Sequence, residues 1–295
     1  MTALIALVAL CAATVVLAVI LGPLRWRTRT ARLASRLRRQ ASSWEGVGPA
    51  VPDVDGLPAP VARYFRTVLP NARAPIVYAR LEQCGEFLVR PGPNGWRPFT
   101  AVEHFTSRPA GFVWDAAIRM APGVPVFVRD GFVAGRGSMT ASVLGIRRVV
   151  SIEGTPAIAS GALQRYLAEA VWLPTALLPS AGVDWTPLGP ASARATLTAG
   201  ATTVSVDFHF GADGLVERIY TASRERDVGG GRTRPTPWQG SFARYEVRDG
   251  VCIPLNGEVA WLLPEGPQPY WRGEITGVTY DPAAGLAPAP RRAVD

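Results

Sequence analysis

The chain has 295 residues, of which 48% are hydrophobic and 18% charged, so it can fold around a large core, which excludes a disordered chain or a coiled coil. A net charge of +8 would favour a nucleic-acid partner if it covered the whole surface. However, all 31 basic residues are arginines, and seven of them precede residue 40, where there is no acid. The other 24 arginines nearly balance the 23 acids, so we expect no nucleic-acid partner.

Residues 1–23 are predicted to form a single transmembrane helix. The twenty residues 3–22 carry no charge, and a helix of that length spans about 30 Å, the thickness of the hydrocarbon core of a bilayer. A cleaved signal peptide fits less well, because no basic residue precedes the stretch and no small-residue cleavage site follows it. A buried core helix is the alternative.

The seven arginines from Arg25 to Arg39 follow this helix directly. By the positive-inside rule they place the body in the cytoplasm, on a single-pass protein of the inner membrane. The helix and the Arg25–Arg39 segment are therefore expected to contact membrane lipids. Cys84 and Cys252 are consistent with a reducing compartment, although the sequence leaves a disulfide between them open.

The rest of the chain is divided by composition. We assign 24–57 to a basic juxtamembrane segment and linker, 58–281 to an antiparallel β-rich domain, and 282–295 to a disordered tail. Apolar residues recur with helical spacing within 58–69, which predicts an amphipathic helix there. They are Val61, Tyr64, Phe65, Val68 and Leu69.

Most of the body is predicted to form antiparallel strands joined by short turns, such as Asn94-Gly95 and Asp130-Gly131. The strand-like runs are 76–89, 96–106, 112–119, 124–129, 132–143, 147–152, 193–198, 202–210, 215–225, 237–247, 251–261 and 270–280. One helix, over 161–173, interrupts the series. The fold class is therefore mainly β with α: one large curved antiparallel sheet, an open barrel or a sandwich, with two packed helices. Two tandem β domains split near 180–192 are the alternative.

The 161–173 helix carries the main candidate binding residues. Its apolar stripe is centred near Leu163, and Arg165, Glu169 and Trp172 lie on the opposite side. A tryptophan on a solvated face would expose a large apolar surface, so either the helix is packed on both sides or this side lines a pocket.

Further candidates lie in the strands. Three acids, Glu86, Glu103 and Asp115, converge only if the strand register places them on one face. Six tryptophans could line an apolar cavity, although core packing is the default role. They are Trp96, Trp114, Trp185, Trp238, Trp261 and Trp271. With only two histidines, His104 and His209, and no metal-binding motif, we expect no metal and no cofactor.

Five motifs along 57–281 point to one family. They are Leu57-Pro-x-Pro-Val61-x-Arg63-Tyr64, Gly85-Glu86-Phe87, Gly111-Phe-Val-Trp114, the string from Tyr166 to Pro179, and Tyr270-Trp-Arg-Gly273. In these the body resembles an uncharacterised, often membrane-anchored bacterial family that is classed as a domain of unknown function. The resemblance implies no established activity, but it implies a curved sheet similar to lipoprotein-carrier folds, which wrap helices and hold acyl chains. Lipoprotein carriers work outside the cytoplasm, whereas the arginines here predict a cytoplasmic body.

Three functions follow as hypotheses. The first is a non-enzymatic membrane-anchored module that binds an apolar or amphiphilic ligand, such as a lipid, between the sheet and the Leu163 or Trp172 side of the helix. Its expected binding residues are Glu169, Trp172, Arg165, Glu86 and Trp114. The second is a hydrolase or isomerase that uses Glu169 with Arg165 or a strand carboxylate. The third is a structural or partner-binding protein of the inner membrane, with the partner unknown.

Overall fold

The computed structural model of the chain describes residues 1–42, 54–69 and 76–282. Its α-helices in these ranges are α1 (Thr2–Ser42), α2 (Ala59–Val68) and α3 (Pro156–Glu169), and short 3-10 turns follow α3 as far as Ala181. The helix predicted over 58–69 is confirmed as α2, with the whole predicted apolar stripe buried. Most of the predicted linker and nearly all of the predicted tail lie outside the described residues.

The described strands form one antiparallel sheet of thirteen strands in the order β6-β5-β4-β3-β2-β1-β13-β12-β11-β10-β9-β8-β7. They are β1 (Ile76–Leu88), β2 (Trp96–Thr106), β3 (Gly111–Ala121), β4 (Val124–Val133), β5 (Arg136–Val143), β6 (Arg147–Glu153), β7 (Val183–Gly189), β8 (Ser192–Ala199), β9 (Thr202–Phe210), β10 (Val216–Asp227), β11 (Thr233–Arg248), β12 (Val251–Leu263) and β13 (Gly266–Pro282). The sheet is curved, and the prediction of one large curved antiparallel sheet is confirmed. Because β1 pairs with β13, the two halves of the chain share this sheet, and the tandem-domain alternative is wrong.

Three local predictions are corrected by the structure. Asp130-Gly131 is not a turn but part of β4, and the turn lies at Ala134-Gly135, where φ is 53° and 75°. Strand β7 was not predicted. Helix α3 begins at Pro156, after an N-cap at Thr155, and ends at Glu169, so Trp172 lies in a 3-10 turn and not on the helix.

Helices α2 and α3 fill the concave inner face of the sheet. In α3, Leu163, Tyr166 and Leu167 are fully buried. The ring of Tyr166 stacks on Phe105 at 4.6 Å between ring centroids, and its hydroxyl donates to the Thr106 carbonyl at 2.8 Å. This end of the inner face is a close-packed core.

The second half of α1 packs on the opposite, outer face of the sheet. The buried stripe is Trp26, Thr30, Ala34, Leu37 and Ala41, and the arginines between these residues are exposed. Residues 24–42, predicted as a juxtamembrane segment, therefore continue α1 without a break and cover β1 to β4.

Polar contacts attach this half of α1 to the sheet. Asp115 of β3 accepts hydrogen bonds from Trp26 Nε1 and Thr30 Oγ1, both at 2.6 Å. Arg129 of β4 donates to Thr30 Oγ1 and to the Trp26 carbonyl, and its guanidinium lies 4.1 Å from the Trp26 ring centroid. These contacts hold α1 against the strands and antiparallel to β3.

The first half of α1 extends beyond the sheet. Its exposed apolar side chains include Leu4, Ile5, Leu7, Leu10, Val16, Leu17, Val19 and Ile20. The helix leaves the body at Gly22, which lies against Gly145 in the turn between β5 and β6 so closely that neither position has room for a Cβ. Within the described residues, no helix combines the length and the apolar character needed to cross a membrane.

Candidate functional site

The inner face of the sheet is closed at one end and open at the other. At the closed end Phe105, Phe112 and Phe132 have no exposed surface. Further along the inner face, one apolar residue in each of six strands is only partly buried, whereas Phe99 and Ile118 in the strands between are 3% exposed. We call the six partly buried residues the mouth: Phe87, Val126, Met139, Val150, Trp261 and Tyr270.

The mouth lies beside the point where α1 leaves the body. Because neighbouring strands are antiparallel, the turns after β1, β3 and β5 lie at one end of this part of the sheet. Gly22 contacts the turn after β5, so the apolar first half of α1 departs from that end. Exposed apolar side chains continue around the same rim at Met120 and Val124, which are 39% and 36% exposed.

Aromatic rings form one wall of the mouth. Trp261 stacks on Tyr270, with 5.5 Å between centroids and 18° between planes, and Phe87 meets Tyr270 edge-on at 6.1 Å. Behind them, Trp238 donates from Nε1 to the Tyr270 hydroxyl at 2.9 Å. Burial raises the pKa of Tyr270, so its hydroxyl stays protonated and uncharged.

A buried charged cluster lies on the same inner face, centred on Arg165 of α3. Its Nε donates to Glu169 at 2.8 Å, its Nη1 donates to Asp130 at 2.9 Å, and its Nη2 is 3.9 Å from Glu103. The guanidinium carbon also lies 4.8 Å from the ring centroid of Trp114. We call Arg165, Glu169, Asp130 and Glu103 the Arg165 cluster.

Burial controls protonation in this cluster. Glu103 has no exposed surface, and burial followed by repulsion from Glu169 raises its pKa well above the usual value, despite the opposing charge of Arg165. Burial alone lowers the pKa of Arg165, but its three carboxylate neighbours outweigh this effect and raise it. Arg165 therefore keeps its charge, and Glu103 holds its proton at a pH where an exposed glutamate has lost it.

The cluster joins some of the predicted residues and omits others. Arg165, Glu169 and Trp114 come together, and Glu103 joins them through Gln83, which accepts from Trp114 at 2.8 Å and donates to Glu103 at 2.9 Å.

Trp172 lies elsewhere. It is 2% exposed, packs against Trp271 and Phe242 at 6.3 and 6.0 Å between centroids, and donates to the Pro254 carbonyl. Leu163 is also in the core, so the ligand position predicted beside Leu163 or Trp172 is already filled by side chains.

The three strand acids do not converge. Glu103 pairs with Trp114 across β2 and β3, which places both on the inner face and turns Asp115 to the outer face against α1. Glu86 also lies on the outer face, where Arg272 donates to it at 2.5 Å.

Glu86 belongs to an outer-face groove of about 550 Å³ that crosses β1, β13, β12 and β11. The groove residues with polar side chains are Cys84, Glu86, Ser241, Asn256, Glu258, Arg272 and Glu274. A row of glycines in register, Gly85, Gly273 and Gly257, runs beneath it. The Glu86–Arg272 pair is largely exposed and Glu274 is bound by Arg244, so these contacts are surface ion pairs that contribute little to stability.

The hypothesis that the protein is a hydrolase or isomerase stays a prediction. The raised pKa of Glu103 is a property expected of an acid catalyst. Neither the groove nor a second cavity of about 220 Å³, next to Arg248 and Val278, contains a residue of the Arg165 cluster.

The described part of the chain has no cluster of three or more His, Cys, Asp or Glu residues able to hold a metal ion. Cys84 and Cys252 are free thiols.

Sequence reasoning missed Asp130 and Arg224. Asp130 was assigned to a turn, because Asp-Gly is also a strong turn signal. Arg224 lies on the inner face of β10 after a bulge that follows Thr221, and the bulge interrupts the two-residue alternation by which a strand face is recognised in a sequence. Nothing in the local pattern distinguishes Arg224 from Arg218, the exposed arginine of β10.

Residues 55–280 match the family of unknown function DUF6920. The chain belongs to this family. The match covers the whole β-rich body and confirms the resemblance to an uncharacterised family that the sequence motifs indicate. No curated protein matches the sequence.

The solved structures that are similar to the chain include the following two. One is a candidate outer membrane lipoprotein-sorting protein domain from Vibrio parahaemolyticus, with a TM-score of 0.39 and 9% identity, over 72% of this chain and 87% of that one. The other is a LolA superfamily protein from Nitrosomonas europaea, with a TM-score of 0.38 and 8% identity, over 78% of this chain and 94% of that one.

Proposed function

We propose that the protein is a membrane-anchored module that binds the hydrocarbon part of an apolar or amphiphilic ligand, such as a lipid, in the mouth. One observation carries the proposal: the six mouth residues are apolar and only partly buried, whereas the large aromatic residues of the adjacent inner-face core, Phe105, Phe112 and Phe132, have no exposed surface. Burial of such a surface by a ligand is favourable in free energy, and exposed apolar surface is typical of binding sites.

The position of α1 supports a ligand that comes from a bilayer. The apolar first half of α1 leaves the body next to the mouth, and the packing of Trp26 against Asp115 and Arg129 fixes its direction relative to the sheet. If the first half is inserted in a membrane, the mouth faces the lipid surface and an amphiphile can enter it without crossing bulk water.

Insertion of residues 1–23 is itself part of the proposal. It is supported by the uncharged stretch 3–22 and by the exposed apolar side chains of this half of α1. The arginines from Arg25 to Arg39 favour a cytoplasmic body at the inner membrane. Reporter fusions after residue 282 test the orientation: activity of a cytoplasmic reporter is expected, and activity of a periplasmic reporter would contradict it.

Quenching by a brominated fatty alcohol tests binding in the mouth. Bromine quenches tryptophans in contact with it, and an uncharged headgroup avoids any contribution from charge. In the full chain exchanged into amphipol, we expect saturable quenching that is lost in large part in Trp261→Phe.

Trp185→Phe is the matched control. Trp185 is also half-buried, but it lies on β7 and packs against Phe208, away from the mouth. Its substitution should leave the quenching by the brominated alcohol unchanged. Quenching that does not saturate, or that decreases equally in both variants, would show that the chain of the ligand does not lie in the mouth.

A further inference from the structure

The wall of the mouth contains a cation with no charged partner. The guanidinium carbon of Arg224 lies 4.3 Å from the ring centroid of Trp238 and 5.8 Å from that of Trp261. Its Nη1 is buried and has no hydrogen-bond partner in the described part of the chain. The guanidinium also lies beside α3, because a Cβ built on Gly161 would be 3.9 Å from Arg224 Nε, an ordinary van der Waals distance.

Arg224 differs in this respect from Arg165, which belongs to α3 and also lies on the inner face. Arg165 has three carboxylates within 3.9 Å, whereas Arg224 forms no ion pair with any described residue. A partly buried guanidinium loses hydration, and a buried donor without an acceptor is costly. Stacking of the guanidinium on tryptophan compensates only part of the free energy lost with its hydration. The site is therefore electrostatically incomplete without an anion.

We propose that Arg224 binds the acidic headgroup of an anionic amphiphile whose hydrocarbon part lies along the aromatic wall of the mouth. The inference rests on the proposed function and specifies its ligand class. The planar guanidinium fork matches the two oxygens of a carboxylate or a phosphate, and the aromatic faces orient it.

A second arginine strengthens the preference for an anion. Arg226 lies two residues further along β10 on the same face and is also half-buried, and its Nε donates to Thr236 at 3.4 Å. Like Arg224, it has no ion pair with any described residue. Two neighbouring cations without carboxylates disfavour a cationic headgroup and favour an acidic one.

Calorimetry with chain-matched ligands tests the proposal. The full chain in amphipol is titrated with decanol, decanoate, decyl phosphate and inorganic phosphate, so that charge and chain are varied separately. We expect decanoate or decyl phosphate to bind about tenfold more tightly than decanol, the gain typical of a charge-assisted hydrogen bond. We expect no measurable binding of inorganic phosphate.

Two variants assign the effect to a residue. Arg224→Gln should remove the advantage of the acidic ligands and leave decanol binding unchanged. Arg218→Gln is the control, because Arg218 is an exposed arginine of the same strand β10. Arg218→Gln should change neither the affinity for the acidic ligands nor the affinity for decanol.

The outcomes separate the two proposals. If no amphiphile binds, the proposed function fails. If decanol binds and the acidic ligands bind no better to the unmodified chain, the function stands and the role of Arg224 is overturned. Equal weakening of decanol and decanoate by Arg224→Gln would also overturn it, since that result indicates a packing role. Binding of inorganic phosphate as tight as that of decyl phosphate would indicate a free-anion site and contradict the amphiphile.

Discussion

Replacing Asp115 with alanine should release the second half of α1 from the sheet. The carboxylate accepts hydrogen bonds from Trp26 and Thr30, both at 2.6 Å, and its charge faces Arg129. Hydrogen bonds to a charged group contribute about 1.5–3 kcal/mol each, and part of this is recovered by water. Arg129 would also lose its compensating charge while 9% exposed. We expect a loss of about 3 kcal/mol in the free energy of unfolding.

Denaturation and trypsin digestion measure this change independently. The exposed arginines from Arg25 to Arg39 are trypsin sites, and we expect them to be protected in the wild type because a docked helix does not fit the active site of the protease. In Asp115→Ala we expect faster cleavage in this segment and little change at other arginines.

Asp207→Ala is the control for this prediction. Asp207 accepts two hydrogen bonds from Arg194, at 2.6 and 2.9 Å, but Arg194 is largely exposed. Removal of such a surface pair costs about 1 kcal/mol or less. If Asp115→Ala unfolds at the same denaturant concentration as Asp207→Ala and shows no faster cleavage between Arg25 and Arg39, the proposed attachment of α1 is refuted.

Three further predictions concern the core and the cluster. Glu103 has a folded-state pKa above the usual 4.5, so its contribution to stability is complete below pH 4.5 and is lost as the pH rises through the folded value. Glu103→Gln cannot ionise, so its unfolding midpoint should rise relative to wild type from acid to neutral pH; parallel pH profiles would contradict this. Tyr166→Phe removes a buried hydroxyl that donates to two carbonyls and should lower the free energy of unfolding in urea by about 1–2 kcal/mol. Gly85→Ala places a Cβ 2.1 Å from the Arg272 carbonyl and should cost about 3 kcal/mol, whereas Gly161→Ala, in a helix with free space, should stabilise by up to about 1 kcal/mol. Thermal unfolding of both alanine variants compares them directly, and equal melting temperatures would contradict the difference.

The local pattern of apolar and turn residues was sufficient to predict much of the secondary structure. The spacing of Val61, Tyr64 and Phe65 predicted α2, and alternation with turn residues predicted twelve of the thirteen strands approximately. These features depend on neighbours within a few residues, so a sequence can indicate them. The same is true of the side of α3 on which Arg165 and Glu169 lie, because that side follows from helical geometry alone.

The sequence by itself determined that the chain carries an apolar, uncharged N-terminal stretch, a basic segment after it and a body of antiparallel strands. Only the tertiary structure decided which residues meet. Strand register placed Glu103 inside and Asp115 outside, and a bulge turned Arg224 toward the mouth. The stripe of Trp26, Thr30 and Leu37 has a spacing that a sequence can show, but Asp115 and Arg129, which bind Trp26 and Thr30, lie 85 or more residues away. Such long-range contacts depend on how all the elements of the chain pack together, so a short window of sequence does not predict them.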